Sequence, residues 1–219
     1  MIRPRPGDPL PRWTVLIPIK SIERAKSRFV GPDPDLRRRL VIAMAADVLE
    51  SCLACPHVAR VIVVTPDRPV ATELLSDLRV AWVPDSGTDL NISLVRALGS
   101  LDSRAAGPVA VVPADLPALK GDQLTDALAR SASYDTAFVT DYEGTGSTLY
   151  AAFDRMAFSP AYGPDSRREH IGAGTHELTF PQESGIRVDV DGPTSLELAI
   201  AAGAGRRTQA VRGLMYEPA

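Results

Sequence analysis

Five short runs rich in aliphatic and β-branched residues constrain this chain most: residues 13–19 (WTVLIPI), 60–65 (RVIVVT), 80–83 (VAWV), 108–113 (PVAVVP) and 136–140 (TAFVT). None alternates apolar and polar residues as a strand with one wet face does, so each is expected to be buried on both faces. Stretches with helical apolar spacing separate them, at 35–53, 68–78, 88–101 and 123–131, with a further one at 195–202. Such an alternation predicts a mostly parallel sheet covered on both sides. Residues 147–153 are expected to return antiparallel, and 187–190 to add a late strand. The reading is a single three-layer α/β/α domain with a mostly parallel, Rossmann-like sheet and one antiparallel return. It spans residues 13–212. Before it comes an extended lead-in at 1–12, broken by Pro4, Pro6, Pro9 and Pro11, and after it a tail at 213–219.

Charge and composition narrow the function classes. The 24 basic and 27 acidic residues leave a net charge of −3, which excludes the global positive field of a nucleic-acid or anionic-membrane binder. No apolar stretch approaches the roughly 20 residues that cross a bilayer. The proline-broken start lacks the apolar core of an export signal, so a cytoplasmic protein is expected. Cys52 and Cys55 form a C-x-x-C at the end of a helical pattern, without the second ligand pair that a zinc site needs, and read as structural thiols. Only Lys20, Lys26 and Lys120 are lysines. Codon bias accounts for the excess of arginine, but not for Lys20 and Lys26 falling together just after the first strand. Lys120 reads as a surface residue.

Open α/β sheets bind ligands beyond the carboxyl ends of their strands, where this chain carries Lys20, Asp67, Asp85, Asp115 and Asp141. Residues 18–28 (PIKSIERAKSR) put Lys20, Arg24, Lys26 and Arg28 in one loop. That suits a polyphosphate, although it is neither a Walker A loop nor a G-x-G-x-x-G fingerprint, and a solvated basic loop has the same composition. Residues 113–117 (PADLP) hold Asp115 between prolines, as a hard-oxygen ligand for Mg²⁺ or as a turn residue. In 188–195 (VDVDGPTS), Asp189 and Asp191 point to one side of an extended segment and are candidates to share a metal with Asp115. The same residues also suit a turn and a helix start capped by Thr194.

The last candidates are 141–148 (DYEGTGST) and 162–170 (YGPDSRREH). Gly144 and Gly146 let backbone N–H groups approach a small anion, and Thr148 and Ser166 add hydroxyls. Gly163 and Ser166 precede a short helical stretch whose start favours a phosphate or carboxylate. A plain hairpin turn is the alternative at 144–147, and His170 reads as an ordinary polar residue rather than a base.

In this order, P-I-K-x₄-A-K-S-R, P-A-D-L-P, D-x-x-G-T-G-S-T and Y-G-x-x-S-x-x-x-H resemble the 2-phospho-L-lactate guanylyltransferases of coenzyme F-420 biosynthesis, whose actinobacterial counterparts are phosphoenolpyruvate guanylyltransferases. The resemblance implies a fold of the nucleotide-diphospho-sugar transferase type, similar to the molybdenum-cofactor guanylyltransferases but without their Gly-rich loop. It implies coupling of GTP to phosphoenolpyruvate or 2-phospho-L-lactate with release of pyrophosphate. By the same resemblance Thr148, Gly163 and Ser166 hold the phospho-acid, and Asp115, Asp189 and Asp191 gather two Mg²⁺ ions. Lys20 and Lys26 lie by the nucleotide phosphates and join Asp115 as catalytic residues, while Asp85, Ser86, Gly87 and Asn91 lie by guanine and ribose. The implied partners are these small molecules and a next transferase of the pathway, to which a labile product is handed. The residues on their own leave open a metal-dependent glycosyltransferase of related fold, or a non-catalytic nucleotide-binding module.

Overall fold

The computed structural model describes residues 11–20, 33–75, 77–85, 89–101 and 107–215, whose seven strands share one sheet. Strand β1 (Trp13–Pro18) is central. On one side it pairs in parallel with β2 (Val58–Thr65), which pairs in parallel with β3 (Val80–Pro84). On the other side lies β4 (Val109–Val111), again parallel. Beyond β4 the sheet continues with β5 (Thr136–Thr140) and β6 (Ser147–Ala152), where β6 sits between β4 and β5 and is antiparallel to both. Strand β7 (His176–Leu178) closes this edge in parallel with β5, giving the order β3-β2-β1-β4-β6-β5-β7.

Seven α-helices accompany the strands: α1 (Pro34–Ala54), α2 (Arg68–Leu74), α3 (Leu90–Gly99), α4 (Gly121–Ser131), α5 (Ser166–Gly172), α6 (Pro193–Ala201) and α7 (Arg206–Met215). Three of them start on an aspartate cap, which satisfies a first-turn N–H that has no helical partner. Asp33 accepts from Asp35 N at 3.0 Å, Asp67 from Val70 N at 3.3 Å and Asp89 from Ile92 N at 3.0 Å. The carboxylate of Asp67, after β2, is thus spent on capping α2.

Successive strand residues part to two cores. Val15, Ile17, Val61 and Val63 pack with Leu40, Met44, Leu128 and Leu196 under α1, α4 and α6, whereas Leu16, Ile62 and Val111 pack with Leu94 of α3 and with Phe138, Tyr150 and Phe158. Each fully buried large side chain contributes about 1.5–3 kcal/mol, so the two-sided sheet centre dominates stability. Among the described residues no helix is long and apolar enough to cross a membrane. Cys52 and Cys55 are buried free thiols, and burial pushes the Cys52 thiol up, away from reactivity.

Three local expectations change. Residues 187–190 form no strand. Gly185–Arg187 is a 3₁₀ turn, and in the extended stretch after it Val190 N donates to Asp115 O at 2.9 Å. The edge strand is β7 instead. Thr194 does not cap α6, because Pro193 starts the helix early and leaves Gly192 as the cap residue. The Ser195 hydroxyl accepts from the N–H groups of Asp191 and Gly192 at 2.9 and 3.1 Å. Helix α7 was not expected and runs past the Arg212 boundary. Buried Asp47 of α1 holds its first turn, accepting from Arg207 N and Thr208 N at 3.3 and 2.8 Å.

Candidate functional site

From β1 the chain builds outward to β2 and β3, then crosses back to place β4 on the opposite side. At such a reversal the loops leave in opposite directions and a crevice opens beyond the carboxyl ends. Lys20 follows β1 and Asp115 follows β4, so they stand on its two lips. Because β6 is antiparallel, the end of β5 and the start of β6 arrive at this same edge, bringing Asp141, Ser147 and Thr148 with them. A cavity of about 770 Å³ opens there. Lys20, Asp115, Thr148, Gly163, Ser166, Asp189 and Asp191, seven of the residues singled out in the sequence, line it together.

The β5–β6 turn is organised by one carboxylate. Asp141 Oδ1 accepts from Gly144 N at 2.6 Å and Thr145 N at 2.9 Å, and Oδ2 accepts from Gly146 N at 2.7 Å. Arg187, a residue that sequence reasoning passed over, anchors this turn from behind: Nε and Nη2 donate to Asp141 O at 3.1 and 2.7 Å. These N–H groups are therefore engaged by Asp141 rather than presented to an anion.

The opposite wall is the segment before α5. Gly163 has φ +154°, in the region that glycine adopts without strain. His170 is fully buried and accepts from Ala161 N through Nε2 at 3.0 Å, while its Nδ1 lies 3.0 Å from Ser147 Oγ. Ser166 donates to Ser147 at 3.2 Å. The ring sits among Phe138, Tyr150 and Tyr162 at centroid distances of 5.2, 5.1 and 5.9 Å. Burial pulls His170 down to about 4, so it is neutral at physiological pH, and with Nε2 occupied it has no role as a base.

Asn91 does not line the cavity. Its amide grips the Tyr162 backbone twice, Nδ2 donating to Tyr162 O at 2.9 Å and Oδ1 accepting from Tyr162 N at 2.8 Å. Asp85 accepts from Ser93 Oγ of α3. Lys26, Ser86 and Gly87 lie outside the described residues. Lys120 donates to Gly203 O, away from the cavity.

The carboxylates set the site's electrostatics. Asp189 is raised to about 7, first by burial and then by the charges of Asp115, Asp191 and Asp141. Among the described residues no three His, Cys, Asp or Glu side chains are already gathered as a metal cage. Mg²⁺ seldom uses such a cage, since it is usually held by one or two carboxylates together with substrate phosphates and water. A half-buried carboxylate pressed by three others is a donor set of the right hardness, and a divalent cation there would offset their mutual repulsion.

A sequence profile described as "Guanylyl transferase CofC like" matches residues 13–210 of this chain. The phosphoenolpyruvate guanylyltransferase of Thermomonospora curvata is 42% identical over 206 residues, covering 93% of this chain and 90% of that protein. That of Streptomyces scabiei is 38% identical over 214 residues, covering 94% and 99%. Among solved structures, 4-diphosphocytidyl-2C-methyl-D-erythritol synthase from Anaerococcus prevotii aligns with a TM-score of 0.61 at 10% identity, over 92% of this chain and 96% of its own, a likeness of fold.

Proposed function

The chain belongs to the CofC-like guanylyl transferases, and from that premise we propose that it couples GTP to phosphoenolpyruvate, releasing pyrophosphate. The observation that carries this reading is the meeting, in one cavity, of Thr148, Gly163 and Ser166 with Lys20 and with Asp115, Asp189 and Asp191.

The chemistry follows from charge. The acceptor phosphate is an anionic nucleophile at neutral pH, so no general base is required. One of its oxygens attacks the α-phosphorus of GTP in line, and as that P–O bond forms, the bond to the bridging oxygen of pyrophosphate breaks. Two like charges about 4 Å apart repel by roughly 4 kcal/mol at an effective dielectric near 20, so the site has to position and neutralise. Thr148, Gly163 and Ser166 hold the phospho-acid. Lys20, with Lys26, lies against the nucleotide phosphates. Asp115, Asp189 and Asp191 would hold two Mg²⁺ ions, which when bound draw charge from the phosphates. Asp85 and Gly87 are assigned to guanine and ribose, whereas Asn91 holds the Tyr162 backbone beside Gly163 of the acid pocket. The mixed anhydride so formed is labile, which favours handover to a following transferase of coenzyme F-420 biosynthesis.

Purified protein with GTP, Mg²⁺ and phosphoenolpyruvate is expected to release pyrophosphate, faster than with 2-phospho-L-lactate; a sugar nucleotide with its acceptor should give no transfer. Asp115→Asn is expected to lower the rate by about a hundredfold or more with an unchanged melting curve. Near-wild-type release by that variant would overturn the carboxylate assignment. GTP binding without any pyrophosphate release would reduce the protein to a binding module.

A further inference from the structure

Three hydroxyls line the acid side of the cavity: Ser147, Thr148 and Ser166. The Thr148 proton goes to Val139 O at 3.5 Å, and the Ser166 proton goes to Ser147 Oγ at 3.2 Å. The Ser147 proton depends on His170. Ala161 N–H donates to His170 Nε2 at 3.0 Å, so that nitrogen carries the lone pair. The neutral ring then bears its hydrogen on Nδ1, which donates to Ser147 Oγ at 3.0 Å. Ser147 Oγ therefore accepts twice, from His170 and from Ser166, and both lone pairs are filled. Its own proton is directed at neither of these neighbours. Ser147 is half-buried on the cavity wall, whereas Ser166 is 2% exposed and His170 fully buried. The hydroxyl with the uncommitted proton thus belongs to the most exposed of the three residues.

We propose that Ser147 is a further hydrogen-bond donor to the phospho-acid, and that His170 is the positioning residue that turns the Ser147 proton into the cavity. The assignment rests on the acid-pocket reading above. His170 touches no substrate. Through Nε2 it holds Ala161, two residues before Gly163, and through Nδ1 it sets the Ser147 hydroxyl, so one buried ring aligns both walls of the pocket.

The test is steady-state pyrophosphate release with GTP and phosphoenolpyruvate varied separately. Ser147→Ala is expected to raise KM for phosphoenolpyruvate by about tenfold, the effect of losing one hydrogen bond to a charged group, with KM for GTP unchanged. His170→Phe keeps an aromatic ring among Phe138, Tyr150 and Tyr162 and should reproduce that shift. The double variant should be no worse than either single one, because both remove the same bond. His170→Asn, which keeps a donor near Nδ1, should stay within about threefold of wild type in KM for the acid. Additive effects of Ser147→Ala and His170→Phe, or equal losses in both KM values, would overturn the positioning role. A Ser147→Ala enzyme with unchanged KM for the acid, beside a Thr148→Val enzyme with a raised one, overturns the donor role and leaves the pocket standing. If Thr148→Val, Ser166→Ala and Ser147→Ala all leave that KM unchanged, the acid-pocket reading itself falls. Should His170→Phe not fold, Ser147→Ala and His170→Asn decide the matter: a tenfold shift in both overturns the positioning role.

Discussion

Gly146 shows how tightly one residue is specified at this site. A Cβ at this position would stand 2.3 Å from Asp141 Oδ2 and 3.1 Å from its Cγ. The first is shorter than any real Cβ contact and the second is tight, so the carboxylate would have to move. It is the same carboxylate that satisfies the N–H groups of Gly144, Thr145 and Gly146. Gly146→Ala is therefore expected to cost about 2–3 kcal/mol, the price of leaving charge-assisted hydrogen bonds unmade, and to raise KM for the acid because the turn carries Ser147 and Thr148. Denaturant midpoints measure the first effect and steady-state kinetics the second. Exposed Thr145→Ala, which keeps its backbone N–H, should stay within about 0.5 kcal/mol of wild type. Equal midpoints for the two variants would show that Asp141 can settle elsewhere.

At the scale of elements, α3 and the loop before α5 are fastened together by one side chain. Asn91 lies on the first turn of α3, and its amide closes a two-bond ring on the Tyr162 backbone, the residue before Gly163. Asn91→Ala is expected to loosen that loop and raise KM for phosphoenolpyruvate by about tenfold, with KM for GTP unchanged; the reverse pattern would make Asn91 a nucleotide contact. The family resemblance flagged Asn91, for guanine and ribose, but not its partner, since the pairing crosses 71 positions and exists only once α3 and the loop share a face of the sheet. For the same reason Ser147 is passed over in the sequence and His170 reads as an ordinary polar residue, since their contact crosses 23 positions. The elements that were legible were those with a strong local signal. Strands β1 to β5 are contiguous apolar runs, and Lys20 and Asp115 follow from where such runs end. Strand β7 has only three residues, His176–Leu178, two of them polar, and α7 buries only Thr208. Neither carries a periodicity to read, because tertiary contacts define both.

For the whole molecule, two groups of opposite habit set the response to pH, half-buried Asp189 on the cavity wall and fully buried His170 behind Ser147. His170 titrates near 4 in the folded chain against about 6.5 unfolded. Its contribution is complete above pH 6.5 and is lost as pH falls through 4, on the order of 3 kcal/mol at 1.36 kcal/mol per unit. Asp189 titrates near 7 folded against 3.8 unfolded. Its contribution is complete below pH 3.8 and is lost as pH rises through 7, on the order of 4 kcal/mol. The carboxylates whose ionisation Arg partners ease, Glu50, Asp77 and Glu197, are surface groups held below their ordinary values of 4.5, 3.8 and 4.5, so their effect is confined to the acid end of the range. The terms of His170 and Asp189 run in opposite directions between pH 4 and 7 and nearly cancel. Wild-type unfolding free energy, from denaturant titrations without added metal, is therefore expected to be nearly flat across that interval. Asp189→Asn should unmask the histidine, so that stability rises with pH. His170→Phe should unmask the carboxylate, so that stability falls with pH. Two variants with the same slope would break the pairing. Millimolar Mg²⁺ should flatten the His170→Phe profile, because a cation that neutralises the Asp189 cluster removes the cost of ionising it, and this effect should be absent when Asp189→Asn is added.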